Sequence, residues 1–306
     1  MDGIETFNFT RQFNGLVAVD GIDLQIGEGE LFSLLGPNGA GKTTTIKMLC
    51  CLLRPTEGTA CVMGYDIVKE PFKVKEIIGV SPQETAISER LNSWENLSLV
   101  GRIYGLSSGE TKKRSLELLE IMGLAERGRE RTSKFSGGMK RRLSIAMAMV
   151  HNPPILFLDE PTLGLDPQAR RATWEHIASL KGKKTILLTT HYMEEADFLS
   201  DRVAIIDRGK IVALGTPSEL KASFPKTPTM LILAEGVSDA LVQGLKERYQ
   251  HVDGYGGKFK IADEKLDFGE LTHYLESNGA TIRSAALEEP TLEDVFIRLT
   301  GKELRE

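Results

Sequence analysis

The chain has 306 residues, 41% hydrophobic and 26% charged, the balance of a globular protein of one large domain or two smaller ones. A formal net charge of -5 argues against a nucleic-acid binder driven by overall charge. Cys50, Cys51 and Cys61 lack CxxC spacing, which argues against a metal cage or a disulfide-stapled scaffold; they read as small apolar side chains. The start MDGIETFNF is acidic and has no apolar run, and no stretch approaches the ~18 consecutive apolar residues of a membrane-spanning helix.

Residues 3–35 read as short strands broken by Gly-rich turns, ending in the strand ELFSLL. The loop GPNGAGKTT follows at 36–44 and opens a helix with Ile46, Leu49, Cys50 and Leu53 on one face. Strands fit TACVMG and VKEIIGV. From about Glu84 to Val150 the pattern is helical, with elements at 94–104 and 112–122. A further helix follows SGGM, and Leu143, Ala146, Met147 and Val150 recur along it. Alternation returns with the strand PILFLD, a helix near 168–180 and the strand KTILLTT. This order predicts an α/β core with an antiparallel β subdomain before it and a helical insertion within it.

ASFPKTPT, at 222–229, reads as a linker. Beyond it come strand (MLILAE), helix (240–249), strand (near 251–255), strand (KFKIA), helix (269–277) and strand (TIRSAAL). This is the split order of a small ferredoxin-like α+β domain. In the last helix, TLEDVFIRLTG, Thr291 and Asp294 have capping-box spacing, and Leu292, Val295, Phe296 and Leu299 form an apolar stripe. The expected division is therefore 1–222, with a helical subdomain at about 84–150, and 223–306.

GPNGAGKT fits the phosphate-loop pattern G-x-x-x-x-G-K-[ST], with a strand before it and a helix after it. Gly36, Gly39 and Gly41 let backbone N–H groups converge on phosphate oxygens. Lys42 supplies positive charge to the terminal phosphates, and Thr43 places a hydroxyl for Mg²⁺. PILFLDE is an apolar strand that ends in two carboxylates. Asp159 is expected to hold Mg²⁺ and Glu160 to orient or deprotonate the attacking water, with strand alternation turning them to different sides. Ser136, Gly137 and Gly138 form a second anion grip far downstream, a serine and two glycines at a helix start. The run Lys140, Arg141 and Arg142 just after it is expected to form a solvated helix face or a contact beside that grip.

A phosphate loop plus a strand-end aspartate describes many NTPases; the SGGM segment separates them. The combination resembles the ATP-binding cassette (ABC) ATPases, from about Gly3 to Leu220. Gly36, Pro37, Asn38, Gly39, Ala40, Gly41, Lys42, Thr43 and Thr44 match the family's phosphate loop. Phe13, in RQFNG, stands where the family stacks an aromatic on adenine. Gln83, in VSPQE, matches the Q-loop glutamine, which the resemblance assigns to the metal and to catalysis. FSGGM matches the signature, with Phe135 and Met139 where Leu and Gln are commoner. Asp159 and Glu160 match the metal aspartate and catalytic glutamate, Asp166 in LGLD the D-loop, and His191 in TTHYMEEAD the switch histidine.

The resemblance implies a fold, an activity and partners. Two cassettes pair head to tail around two ATP, and the signature of one caps the γ-phosphate held by the other. The phrasing KFSGGMKRRLSIAMAMV and LEEPTLEDVFIRLTGKELRE resembles cytoplasmic ATPase subunits of drug- and antibiotic-resistance exporters. These dock on a separate membrane permease, which implies a peripheral position on the cytoplasmic face of the membrane, ATP and Mg²⁺ as ligands, and no nucleic acid. A soluble ABC ATPase acting on ribosomes or DNA is the alternative. A P-loop kinase leaves the signature and the histidine unexplained.

Overall fold

The computed structural model describes residues 2–223, 227–288 and 290–300. They form two compact units, one of Met1–Leu220 with the chain from Phe296, the other Lys221–Val295. Residues 224–226 of the expected linker lie outside the described residues.

The first unit is built on a six-stranded sheet in the order Lys210–Gly215, Arg202–Asp207, Leu31–Leu35, Thr185–Thr190, Ile155–Asp159, Ile78–Ser81. The last five run parallel, and Lys210–Gly215 is antiparallel to its neighbour. The three central strands are buried along their whole length, as a parallel sheet covered on both faces requires. Alternate residues serve two cores. Phe32, Leu34, Phe157 and Leu187 join one cluster. Leu31, Leu156, Leu158, Ile186 and Leu188 join the other, with Leu97, Leu118 and Leu143 of the helical insertion. The register sets Leu35 beside Thr190 and Asp159 beside Thr189. Three carboxyl strand ends therefore lie side by side, where open α/β sheets bind ligands.

A second sheet, antiparallel where its pairs are defined, orders Leu16–Gly27, Asp2–Phe13, Glu57–Val62 and Tyr65–Asp66. The short strands expected before the phosphate loop are instead two strands of 12 residues each. Register shifts interrupt their pairing, and Asn8 and Gly21, at positive φ, are the irregular positions that made the pattern look broken. VKEIIGV also departs from expectation. A helix, Pro71–Ile77, fills its first half and the strand is only Ile78–Ser81. Pro71 at the first helical position is the physical cause.

The insertion holds helices Ser93–Ile103, Ser108–Ile121 and Gly137–Ala148. The first two start in reciprocal capping boxes, Asn92 with Glu95 and Ser107 with Glu110. The second unit is an antiparallel sheet in the order His251–Tyr255, Lys258–Ala262, Thr229–Glu235, Thr281–Leu287. With helices Asp239–Arg248 and Phe268–Ser277 it has the ferredoxin-like arrangement, closed around Ile232, Leu241, Phe259 and Leu271. The helix Leu292–Thr300 is capped as expected: Asp294 N–H donates to Thr291 Oγ1 at 3.2 Å, and Thr291 N–H to Asp294 Oδ2 at 2.9 Å.

Candidate active site

The strand Leu31–Leu35 runs into loop 36–41, which enters the helix Lys42–Leu49. A Cβ on Gly36 would stand 2.2 Å from the Ile206 carbonyl oxygen, and one on Gly41 2.3 Å from that of Ala18. Gly41 also has φ 106, a backbone open in practice only to glycine. The close fit draws the loop tight and sets the hairpin that bears Phe13 beside it. Phe13 itself is 39% exposed, and the Arg11 guanidinium lies 4.4 Å from its ring centroid.

Lys42 is buried and folds over its own loop. Its ammonium donates to the carbonyl oxygens of Gly36 (2.7 Å) and Pro37 (3.1 Å) and pairs with Glu160 Oε1 at 3.0 Å. Thr43 Oγ1 donates to Asp159 Oδ1 at 3.1 Å, and Thr189 Oγ1 donates to the same oxygen at 2.6 Å. Asp159 ends its strand, and Glu160 follows at φ 50. The two carboxylates thus diverge through a left-handed turn and not through strand alternation. Such a conformation at a non-glycine residue costs on the order of 1–3 kcal/mol. The Glu160 N–H holds it by donating to Thr189 O and Thr189 Oγ1, each at 3.1 Å.

His191 Nδ1 lies 2.7 Å from Glu160 Oε2. Burial by itself raises the Glu160 carboxyl, but the His191 hydrogen bond and the Lys42 charge outweigh it and hold the group below the ordinary carboxylate range. An ionised carboxylate only accepts, so Nδ1 carries the proton. Lys42, Thr43, Asp159, Glu160 and His191 therefore form one cluster at the strand ends.

Other residues singled out from sequence lie outside this set of side-chain contacts. The Gln83 side chain is exposed. Ser136 caps the helix Gly137–Ala148, accepting from the Met139 N–H at 3.3 Å, and Ser136 and Gly137 are exposed. Gly138 is buried; a Cβ there would meet the Ala169 Cβ at 2.9 Å. Asp166 is exposed and caps the helix Pro167–Ala178 through the Ala169 N–H at 2.9 Å. The signature helix and the D-loop helix consequently touch at their starts.

Sequence reasoning missed two buried charged groups. Arg141, expected on a solvated face or in a contact beside the Ser136 grip, is 3% exposed and donates to four main-chain oxygens, those of Pro82, Gln83, Asp159 and Pro161. Burial lowers its pKa to about 10, against the opposing pull of Asp159, Glu195 and Glu160, so it is charged at neutral pH. The solvated-face alternative fails for Arg141 because three consecutive basic residues do not share one helix face. Arg141 shares helical phase with Ser144, Ile145 and Ala148, all buried, and that period was the available signal.

The other is Glu195, wholly buried. Its Oε1 accepts from Thr162 Oγ1 at 2.7 Å and Trp174 Nε1 at 2.8 Å. Burial pushes its carboxyl above the ordinary range, although hydrogen bonds from Thr190, Thr162 and Trp174 oppose this. A raised folded-state pKa means that the folded chain keeps a proton the unfolded chain has released. Stability is then full below the unfolded pKa and falls as pH rises through the folded one. Glu195→Gln keeps the acceptor and has no such loss. Its melting temperature relative to wild type should rise between pH 4 and pH 8, as thermal melts across that range would measure. A constant difference would contradict the assignment.

The ABC transporter family profile matches residues 19–163, and that of the ATP-binding protein DrrA1-3-like C-terminal domain matches residues 215–300. The chain is 41% identical over 306 residues to the daunorubicin/doxorubicin resistance ATP-binding protein DrrA of Streptomyces peucetius, covering 97% of this chain and 92% of that one. It is 37% identical over 313 residues to the linearmycin resistance ATP-binding protein LnrL of Bacillus subtilis, covering 99% and 100%. Among solved structures it is similar to a dimeric, post-hydrolysis state of the ATP-binding cassette MJ0796 bound to ADP and Pi. That match has 28% identity and a TM-score of 0.63, over 70% of this chain and 98% of the other.

Proposed function

The chain belongs to the ABC transporter ATP-binding proteins and is an ATPase, and on that premise we propose that it powers export through a separate membrane permease. It would work as a peripheral protein on the cytoplasmic face of the membrane. Among the described residues no helix is long and apolar enough to cross a membrane, and the reading assigns the transport path to the permease. The resistance proteins it resembles make antibiotic-like small molecules the expected cargo class. The observation that carries the reading is the Lys42–Glu160–His191 cluster beside Thr43 and Asp159, in a chain whose signature helix start is exposed.

In this reading the phosphate loop, Gly36 to Thr44, wraps the triphosphate, and Phe13 stacks on adenine. A terminal phosphate, carrying more charge than one carboxylate, draws Lys42 from Glu160. Glu160 then keeps its His191 hydrogen bond and takes a proton from the attacking water. Thr43 and Asp159 offer hard oxygen donors at one point, and Gln83 is a further candidate ligand. This set fits Mg²⁺, which takes few protein ligands and completes its shell with phosphate and water. Held there, Mg²⁺ would neutralise charge on the phosphate oxygens. Ser136, Gly137, Gly138 and Asp166 act on the nucleotide held by a second subunit. All these residues lie within 1–222, which leaves 223–306 an accessory domain.

Affinity capture of the tagged chain from native membranes tests the reading. The expected partner is a polytopic membrane protein that raises the ATPase rate on reconstitution. Recovery with ribosomes or DNA, and no membrane partner, would favour the soluble alternative.

A further inference from the structure

Arg141 stands on the signature helix Gly137–Ala148, yet its guanidinium donates only to carbonyls outside that helix. Nε donates to Pro161 O at 2.9 Å, and Nη2 donates to Asp159 O. These carbonyls flank Glu160 on both sides, so the guanidinium brackets the left-handed turn at φ 50. Nη1 donates to Pro82 O at 2.5 Å and to Gln83 O at 3.1 Å. One rigid planar cation thus ties three things together: the turn bearing Glu160, the segment bearing Gln83, and the helix whose exposed start carries Ser136 and Gly137.

Four oxygens from two segments need donors in a fixed plane. A guanidinium supplies that fork, whereas an ammonium is a point charge with three donors and no preferred plane. Within a packed interior, a shift of the helix or of the Gln83 segment must then pass to the Glu160 turn or break a buried charge-assisted hydrogen bond.

We propose that Arg141 is a positioning residue for hydrolysis, whose guanidinium sets the Glu160 turn by the place of the signature helix and the Gln83 segment. It acts through Glu160. The proposal therefore rests on Glu160 being the base that activates water.

The test uses the full chain with Arg141→Lys and Arg141→Gln, alone and with Glu160→Gln. Melting temperature, equilibrium binding of a fluorescent ATP analogue, KM and kcat are read for each. Arg141→Lys keeps the buried charge and is expected to fold and to bind the analogue as wild type does. Its kcat should fall by about 10- to 100-fold, the scale of a small misplacement of a reacting group. In the Glu160→Gln background it should cause no further loss, because both changes act on one step. Unchanged kcat in both Arg141 variants would overturn the proposal, as would a loss that adds fully to that of Glu160→Gln. A fall in affinity parallel to kcat, or failure of both variants to fold, would assign Arg141 to the fold alone and overturn it as well. Wild-type turnover in Glu160→Gln by itself would instead remove the base assignment, so the two failures are distinguishable.

Discussion

Glu160→Gln lowers ATP hydrolysis by about 10²–10⁴-fold, equivalent to roughly 3–5 kcal/mol of barrier, and leaves ATP binding and ATP-dependent pairing in place. Glutamine keeps the size of the side chain and an oxygen for the His191 Nδ1 proton, but it takes no proton from water. Lys42 loses its ion-pair partner at 3.0 Å and keeps the Gly36 and Pro37 carbonyls. Removing one member of a buried pair leaves a poorly compensated charge, so the variant should melt below wild type without nucleotide. ATP supplies the missing anion and should narrow that gap. Phosphate release, sedimentation with and without ATP, and melting curves measure the three effects. Turnover near that of wild type would sink the assignment.

A mixed dimer of one Lys42→Ala subunit and one Ser136→Arg subunit recovers hydrolysis that both mutant homodimers lack. Loss of Lys42 weakens the grip of a subunit on its own nucleotide. Arginine at 136 blocks the cap on the nucleotide of the partner. Ser136 is exposed, so arginine is accommodated at the cost of a helix cap, about 1 kcal/mol. If the caps act in trans, both defects in the mixed dimer fall on the same composite site and the other site is intact. Each homodimer has both sites damaged. Rates of tandem-purified mixed dimers decide this, and a mixed dimer as inactive as the homodimers would exclude the head-to-tail arrangement.

What was legible in the sequence followed from local constraints. GPNGAGKT encodes its own loop, because Gly39 and Gly41 take the positive φ values (82 and 106) that its turns need. PILFLD and KTILLTT announce buried strands by composition alone. The grouping of Lys42, Asp159 and His191 is not local. It arises because Leu31–Leu35, Thr185–Thr190 and Ile155–Asp159 are neighbours in the sheet, an order that crosses the chain and has no sequence period. Arg141 was hidden differently. Its charge suggested solvent, while its burial depends on carbonyls at 82, 83, 159 and 161, far along the chain and silent in the sequence. Glu195, in the TTHYMEEAD segment that bears His191, was missed for the same reason: its partners Thr162 and Trp174 meet it only in the fold.

The reciprocal caps at Asn92 and Ser107 give the helical insertion a particular mechanical character. Each helix start satisfies its N-cap amide with a glutamate three residues on, Asn92 N–H to Glu95 at 2.8 Å and Ser107 N–H to Glu110 at 2.9 Å. Tilting these two helices therefore leaves the capped amides paired; the resistance comes from side-chain packing such as that of Leu97 and Leu118 and, at the first helix, from Ser93 N–H, which donates to Gly128 O at 3.1 Å. Such a body moves as one piece with little fraying. The amides at 95 and 110, each held by its own cap, should exchange with solvent at the same rate with and without nucleotide, even as the packing beneath them changes.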